Sequence, residues 1–160
     1  MRIVLVAIGK LKAGPDRDLF ERYWERLGAS GRKLGITGLR SAELPESRAA
    51  TAAERKADEA GRLLKAVGAG ATVIVLDEHG KSLTSQDFAA FLKRTLDGSV
   101  PELAVLVGGP DGHGSPVLER AGLVLNLGTM TLPHGLARIV IAEQLYRATT
   151  LLSGHPYHRA

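Results

Sequence analysis

Continuous apolar runs of strand length alternate along this chain with segments of helical periodicity. The clearest runs are RIVLVAI, TVIVLD, LAVLVGG and LVLNLG, which begin at residues 2, 72, 103 and 123. A weaker run, KLGITGL, covers residues 33–39. Strands that are apolar along their whole length are typical of parallel sheets buried between helices. The pattern therefore predicts an α/β fold, with a mostly parallel sheet and helices on both of its faces.

The segments between these runs predict five helices. They cover residues 15–28, 45–68, 84–98, 115–122 and 136–152. Thr84 and Asp87 have the spacing of a helix N-cap and the residue it bonds, and Gly98 follows as a stop signal. Ser115 is expected to cap the fourth helix, with Pro116 at its first position.

Length and composition limit the classes of protein to consider. The 160 residues suit one domain spanning 1–160, and 44% of them are hydrophobic, enough for a substantial core. The absence of cysteine excludes disulfides, thiolate zinc sites and a cysteine nucleophile, and fits a reducing compartment. We expect no membrane segment or signal peptide, since the first apolar run is short and lacks a cleavage site. The net charge of +4 is compatible with nucleic-acid binding without demonstrating it.

Three loops are candidates for a ligand site. They follow Asp77, Val107 and Leu127, at the predicted carboxyl ends of strands, where open α/β sheets bind ligands. Two of them are rich in glycine, which allows a ligand to approach the backbone closely. Neither a phosphate-binding GK[ST] loop nor a GxGxxG dinucleotide motif is present. The glycines alone are equally compatible with plain strand-to-helix turns.

Other polar groups are ambiguous when each is taken alone. The triplet 77–79, Asp-Glu-His, suggests a metal or acid–base site, but consecutive residues diverge and no second group has ligand spacing, so a solvated turn is favoured and no metal is expected. His155, Tyr157 and His158 form either a ligand group or a loose end. Arg138 and Arg147 share a helix with Glu143, which is also typical of a solvated face or an ion pair.

The combination of these segments resembles one known family. LVGGPDG (106–112), MTLPHGLARIVIAEQLYRA (130–148) and HPYHR (155–159) together are similar to the ribosomal RNA large subunit methyltransferase H family, in the SPOUT superfamily of knotted methyltransferases. The resemblance extends to the first strand, to VIVLDEHGKSLTSQDFA (73–89) and to the overall length, and is weakest from about residue 32 to 54. One departure is His113, where the family pattern leads us to expect an apolar residue.

The resemblance implies a function and an architecture. The protein would be a cytoplasmic, S-adenosylmethionine-dependent enzyme that methylates N3 of a pseudouridine in a stem-loop of 23S ribosomal RNA, on the assembled ribosome. It would form a homodimer, and its C-terminal part would form a trefoil knot, which general topology rules disfavour. The three loops would then form one backbone-lined cofactor pocket, with glycines where side chains would collide with the ligand. The implied cofactor contacts are Leu76, Gly108, Leu127, Gly128, Thr129, Met130, Thr131 and Leu132.

The resemblance also implies roles for the basic and aromatic residues. Arg138, Arg147 and Arg159 would contact phosphates, whereas His155, Tyr157 and His158 would stack on or hydrogen-bond a flipped base. Without cysteine, a thiolate adduct with the base is unavailable, so direct displacement at the methyl group is expected, catalysed mainly by positioning. The catalytic candidates are His134, Arg138, Tyr157 and His158. The N3 proton could pass to His134, to His158 or to water.

Two other functions fit parts of the sequence. A non-catalytic RNA-binding or ribosome-binding α/β module would need the basic tail but not the glycine-rich loops. A flavodoxin-like small-molecule domain would need the loops but not the tail.

A homodimer would use part of the apolar face of the last helix together with Tyr23 and Trp24. The residues of that face are Leu136, Ile139, Val140, Leu145, Ala148 and Leu152.

Overall fold

A parallel sheet organises the chain, as the apolar runs predict. The computed structural model describes residues 1–157, and in them five parallel strands lie in the order β2-β1-β4-β3-β5. The strands are Arg2–Ile8 (β1), Gly38–Leu44 (β2), Thr72–Ser82 (β3), Glu102–Val107 (β4) and Leu123–Asn126 (β5).

Helices cover both faces of this sheet. They are Pro15–Gly31 (α1), Ala52–Lys65 (α2), Ser85–Asp97 (α3), Ser115–Arg120 (α4) and His134–Ser153 (α5). One apolar cluster joins one face of the sheet to α1, α3 and α5, and a second joins the other face to α2 and α4. The last helix, α5, packs against both α1 and α3. The predicted α/β architecture is confirmed, while the trefoil knot stays a prediction.

The second strand does not lie where the sequence pattern predicts. Residues Arg32–Leu34 form a 3-10 turn, and β2 begins only at Gly38. This strand is at the edge of the sheet and its side chains are half-buried or exposed. An edge strand needs no continuous apolar run, so hydrophobicity gives little indication of its position.

Two helix starts also differ from expectation, and a side-chain cap explains the first of them. The second helix begins at Ala52 rather than at 45, because Thr51 and Glu54 form a reciprocal capping box with hydrogen bonds of 3.2 and 3.3 Å. The fourth begins at Ser115, with Gly114 as its N-cap. For the third helix the predicted cap is confirmed, since Thr84 accepts a hydrogen bond from the Asp87 N–H.

Strand β3 contains a bulge that shapes the functional edge of the sheet. Leu76 and Lys81 both pair with Leu125 of β5, so the four residues between them leave the regular ladder. Gly80 allows the two strands to remain close, because a Cβ there would lie 2.7 Å from the backbone of Val124. The bulge therefore depends on the absence of a side chain at this position.

Replacing Gly80 by alanine tests this packing. We expect Gly80→Ala to destabilise the protein by about 1–3 kcal/mol, because the new methyl group overlaps backbone that cannot rotate away. Gly61→Ala is the matched control, since Gly61 lies inside α2 with nothing within 4 Å of its missing Cβ. That change should stabilise by roughly 0.5–1 kcal/mol. Urea unfolding measures both, and equal stabilities for the two variants would contradict the close approach.

Candidate functional site

A cavity of about 330 Å³ lies at the carboxyl ends of β3, β4 and β5. It is lined by Leu76, Asp77 and Glu78 of β3, by residues 107–113 after β4, by residues 125–128 and 130–132 around the end of β5, and by His134 and Ala137 of α5. The three loops selected from the sequence therefore meet in one place. Of the eight implied cofactor contacts, all but Thr129 line this cavity.

Asn126 holds the loop after β5 against the bulge of β3. Its Oδ1 accepts a hydrogen bond of 2.7 Å from the N–H of Gly128, and its Nδ2 donates one of 2.7 Å to the carbonyl oxygen of Glu78. Gly128 has φ = 140°, a conformation that residues with side chains rarely adopt. Sequence reasoning missed Asn126, although an Asn at a strand end before Gly is a common turn signal.

The loop after β4 is tied to α2 by an ion pair. The Arg55 guanidinium donates two hydrogen bonds to Asp111, of 2.7 and 3.2 Å. These bonds lower the pKa of Asp111 below its usual value. Behind the loop, a Cβ on Gly109 would lie 2.9 Å from the buried Glu59 carboxylate. The loop thus has a charged anchor at its tip and a close contact at its base.

His113, the departure from the family pattern, lies buried beside this loop with 6% of its surface exposed. Its Nε2 is 3.1 Å from the carbonyl oxygen of Leu76. A Cβ on Gly108 would lie 3.1 Å from the imidazole ring. His113 therefore leaves little room for a side chain at Gly108. The sequence, in contrast, suggests that only a ligand requires this glycine. Burial lowers the pKa of His113, partly offset by Asp77 and the Leu76 carbonyl.

Arg138 is buried, with 4% of its side chain exposed. Its Nη1 donates to Glu43 at 2.7 Å, and its Nη2 donates to the carbonyl oxygens of Ile8 and Gly9 at 3.2 and 2.7 Å. The guanidinium is thus occupied inside the protein and does not face an RNA phosphate. The phosphate contact and the catalytic role considered for Arg138 do not agree with this position.

The carboxylate of Glu43 collects donors from three elements. Burial favours its neutral form, but hydrogen bonds from the Leu11 N–H, Arg17 and Arg138 lower its pKa below the usual value. Because the carboxylate stays ionised, it holds the first turns of α1 and α5 to the carboxyl end of β2.

Of the described C-terminal residues, Tyr157 packs on α5, and none of residues 154–157 lines the cavity. Tyr157 donates a hydrogen bond of 3.0 Å to Glu143, and its ring centroid lies 4.6 Å from that of Tyr146. Burial, followed by the Glu143 contact, raises the pKa of Tyr157. Arg147 forms the predicted type of ion pair with Glu143, at 2.9 Å, and lies over the Tyr157 ring. His155 is exposed.

The catalytic candidates are therefore separated in the structure. His134 lines the cavity, Arg138 bonds the Gly9 carbonyl and does not line it, and Tyr157 packs further along α5. His158 and Arg159 lie outside the described residues.

The Asp-Glu-His triplet 77–79 lies within the bulge of β3, and the hydrogen bonds of Asp77 are local. Asp77 accepts hydrogen bonds from the backbone N–H and the ring of His79, at 2.9 and 3.2 Å, and His79 itself is exposed. Asp77 and Glu78 nevertheless line the cavity and give it a negative rim. Within residues 1–157, no three His, Asp or Glu side chains are placed to share a metal ion.

Comparison with known proteins identifies the family. Residues 1–158 match the family model described as "Predicted SPOUT methyltransferase". The chain belongs to the SPOUT methyltransferase family. Curated relatives named "Ribosomal RNA large subunit methyltransferase H" include those of Brucella anthropi, 51% identical, and Rhizobium meliloti, 52% identical, each over 160 residues and the full length of both chains. The family resemblance stated from the sequence is confirmed.

A solved structure gives a more distant likeness. The SpoU methyltransferase AviRb from Streptomyces viridochromogenes aligns over 96% of this chain and 61% of its own, with a TM-score of 0.43 and 13% identity. That likeness is too remote to inform any detail of the site. Among the helices described in this SPOUT protein, none is both long and apolar enough to cross a membrane.

Removing Arg138 tests its structural role. We expect Arg138→Met to destabilise the protein by about 3 kcal/mol or more, because Glu43 and two carbonyls lose a buried donor. Arg147→Met, which breaks a more exposed pair, should cost at most about 1 kcal/mol.

The same ion pair should depend on pH. Because the pKa of Glu43 is lowered on folding, the stability that this carboxylate contributes is present above its unfolded pKa of about 4.3 and is lost as the pH falls below that value toward the folded pKa. Urea unfolding at pH 7 and pH 3.5 measures these differences, and similar losses for the two variants at pH 7 would contradict the assignment.

Proposed function

We propose that this protein transfers the methyl group of S-adenosylmethionine to N3 of a pseudouridine in 23S ribosomal RNA, on the assembled ribosome in the cytoplasm. The observation that carries the proposal is the cavity, in which the loops implied to contact the cofactor meet beside His134. Membership of a methyltransferase family and full-length relatives named for ribosomal RNA support the reaction and the substrate.

The residues around the cavity fit this cofactor. Its volume of about 330 Å³ is within the usual range for small-molecule sites. The loops offer backbone N–H and C=O groups to the adenine edge, and the carboxylates of Asp77 and Glu78 complement a cationic sulfonium and amino group. When bound, the cofactor supplies an electrophilic methyl group. Leu76, Gly108, Leu127, Gly128 and the residues from Met130 to Leu132 would hold it, whereas Thr129 does not line the cavity.

The chain's own groups would position the base and remove its proton. N3 of pseudouridine must lose a proton before or during methylation. Among the catalytic candidates in residues 1–157, His134 lines the cavity, and we assign it to accept that proton directly or through water. Positioning of the base against the methyl group would supply most of the remaining rate.

A basic and apolar rim suits a large RNA partner. Lys10, Lys12 and Arg48 are exposed in loops after β1 and β2, at the same edge of the sheet as the cavity. Exposed cations at this edge can attract phosphates. In the loop after β5 and the first turn of α5, Met130 is 84% exposed and Leu136 is 43% exposed. Large apolar side chains at the rim of a cavity are typical of surfaces that a partner covers.

We further propose a homodimer in which the tail of one chain completes the site of the other. Tyr157 bonds Glu143, which lies nine residues, or about 14 Å along α5, from His134. None of the described tail residues lines the cavity of its own chain. A second copy with α5 antiparallel would bring its tail toward this cavity. The half-buried Tyr23 and Trp24 and the last helix would contribute to that interface.

The trefoil knot forms part of the same proposal. The last helix, α5, packs against α1 and α3 and lies in the same layer as they do, on one face of the sheet. We propose that the segment after β5 passes through the chain to reach this space, which would also press residues 127–132 against the other two loops.

Cofactor binding is the first test of the proposal. Isothermal titration calorimetry should detect both S-adenosylmethionine and S-adenosylhomocysteine. Thr131→Trp should weaken both by at least about tenfold, because the indole fills space in the cavity. Thr129→Trp is the matched control: Thr129 is equally exposed but does not line the cavity. Failure of the unaltered protein to bind either compound would contradict the methyltransferase function. The alternative of a non-catalytic RNA-binding module would then remain.

Mixed dimers test the tail. The chain truncated after Gly154 should bind cofactor but lose methyl transfer to ribosomes that lack the modification. Thr131→Trp should also be inactive, since its own cavity is filled. A heterodimer of the two contains one intact cavity facing one intact tail, so activity should return. Normal turnover by the truncated chain, or no recovery in the purified heterodimer, would contradict a tail acting on the partner.

A further inference from the structure

We propose that His113 is a positioning residue of the cavity: its neutral imidazole, by bonding the Leu76 carbonyl, fixes the end of β3 against the loop after β4 and so sets cofactor affinity. The proposal rests on the proposed function, because the ligand whose affinity is measured is S-adenosylmethionine. It concerns a residue that departs from the apolar one expected at this place.

The hydrogen bond defines the chemical state of the imidazole. The Leu76 carbonyl oxygen can only accept, so Nε2, at 3.1 Å, must carry the proton and donate it. Nδ1 is then an unprotonated acceptor, and it is buried without a hydrogen-bond partner in residues 1–157. A second proton would place a charge and an unsatisfied N–H in this buried position. The neutral Nε2–H tautomer is therefore the one that fits the site.

The position of the bond explains why it would matter for a ligand. Leu76 is the last residue of β3 in the regular ladder before the bulge, and it pairs with both Val107 and Leu125. Its carbonyl therefore lies where all three cavity loops diverge. His113 bonds that carbonyl from one side and packs its ring against Gly108 on the other. One side chain thereby sets the spacing between two of the segments implied to hold the cofactor.

Several other titratable groups lie around His113 and must be separated from it in any test. They are Asp77 and Glu78 on β3, Asp111 in the same loop, Arg55, Lys56 and Glu59 on α2, and His134 on α5. Asp77 favours the protonated imidazole, whereas burial opposes it more strongly and lowers the pKa of His113.

Two substitutions separate the hydrogen bond from the packing. His113→Gln keeps an N–H donor at a similar reach and has no titration, while His113→Leu keeps the approximate volume and matches the apolar residue expected from the family. At pH 7.5 we expect His113→Gln to bind S-adenosylmethionine within about threefold of the unaltered protein. His113→Leu should bind about three- to tenfold more weakly, which is the usual effect of losing one hydrogen bond. Thermal unfolding confirms that each variant is folded.

A pH series and NMR supply readouts that a purely structural role would not change. Because burial lowers the pKa of His113, its protonation sets in only as the pH falls below the ordinary imidazole value of about 6.5. In that acidic range, protonation should weaken binding by the unaltered protein more than by His113→Gln, because only the former can gain the charge. In the same range, the carbonyl ¹³C shift of Leu76 should follow the His113 titration, and the imidazole ¹⁵N shifts should report the Nε2–H tautomer.

The outcomes distinguish this proposal from the proposed function. Equal affinity in all three proteins, with a Leu76 carbonyl that ignores the His113 titration, would overturn the role of His113 and leave the enzyme intact. Absence of binding in all three would overturn the proposed function and the role of His113 with it. Weak binding by His113→Leu together with rescue by His113→Gln would support the role.

Discussion

The buried ion pair between Arg138 and Glu43 is the interaction on which the geometry of this site depends. A guanidinium removed from water is costly unless its donors are satisfied. Here one carboxylate and two backbone carbonyls accept from Nη1 and Nη2, while Nε has no partner among the described residues. Arg138 lies one helical turn after His134. The pair therefore fixes the start of α5, and with it the end of the loop that closes the cavity, on the carboxyl edge of the sheet.

The other cavity loops follow the same design, in which one side chain ties each loop to a neighbouring element. Asn126 joins the loop after β5 to the bulge of β3, and Arg55 joins the loop after β4 to α2 through Asp111. Backbone groups can then line the cavity in a defined arrangement beside its polar side chains. A site of this kind favours a ligand recognised by shape and by backbone hydrogen bonds, as the proposed cofactor would be.

The sequence predicts those parts of the molecule that depend on local pattern. Apolar runs locate β1, β3, β4 and β5, and the carboxyl ends of the last three locate the loops that form the cavity. The edge strand β2 is missed because half-buried residues carry no continuous apolar signal. Gly108 is recognisable from the sequence as a loop glycine, whereas Gly80 is not, because the backbone of Val124 that requires it comes from another strand.

Arg138 and Tyr157 show how little the sequence predicts about the contacts of charged and aromatic residues. An arginine on a helix is compatible with both a solvated face and a buried pair, and only the contact with Glu43, 95 residues away in the chain, decides between them. Similarly, nothing in the sequence around Tyr157 indicates that it bonds Glu143. Family resemblance predicts which residue types belong to the site, whereas the position of each one depends on tertiary packing.

The proposed methylation of pseudouridine N3 would leave a mark that can be read directly in ribosomal RNA. A methyl group on N3 blocks the Watson–Crick face of the base, so reverse transcription of 23S ribosomal RNA stops next to it. The most direct measurement compares such stops, and the mass of the corresponding RNA fragment, in cells with and without this protein. We predict one stop and one methyl group on 23S ribosomal RNA that are absent from cells without this protein and return when it is restored. An unchanged stop pattern and fragment mass would contradict it.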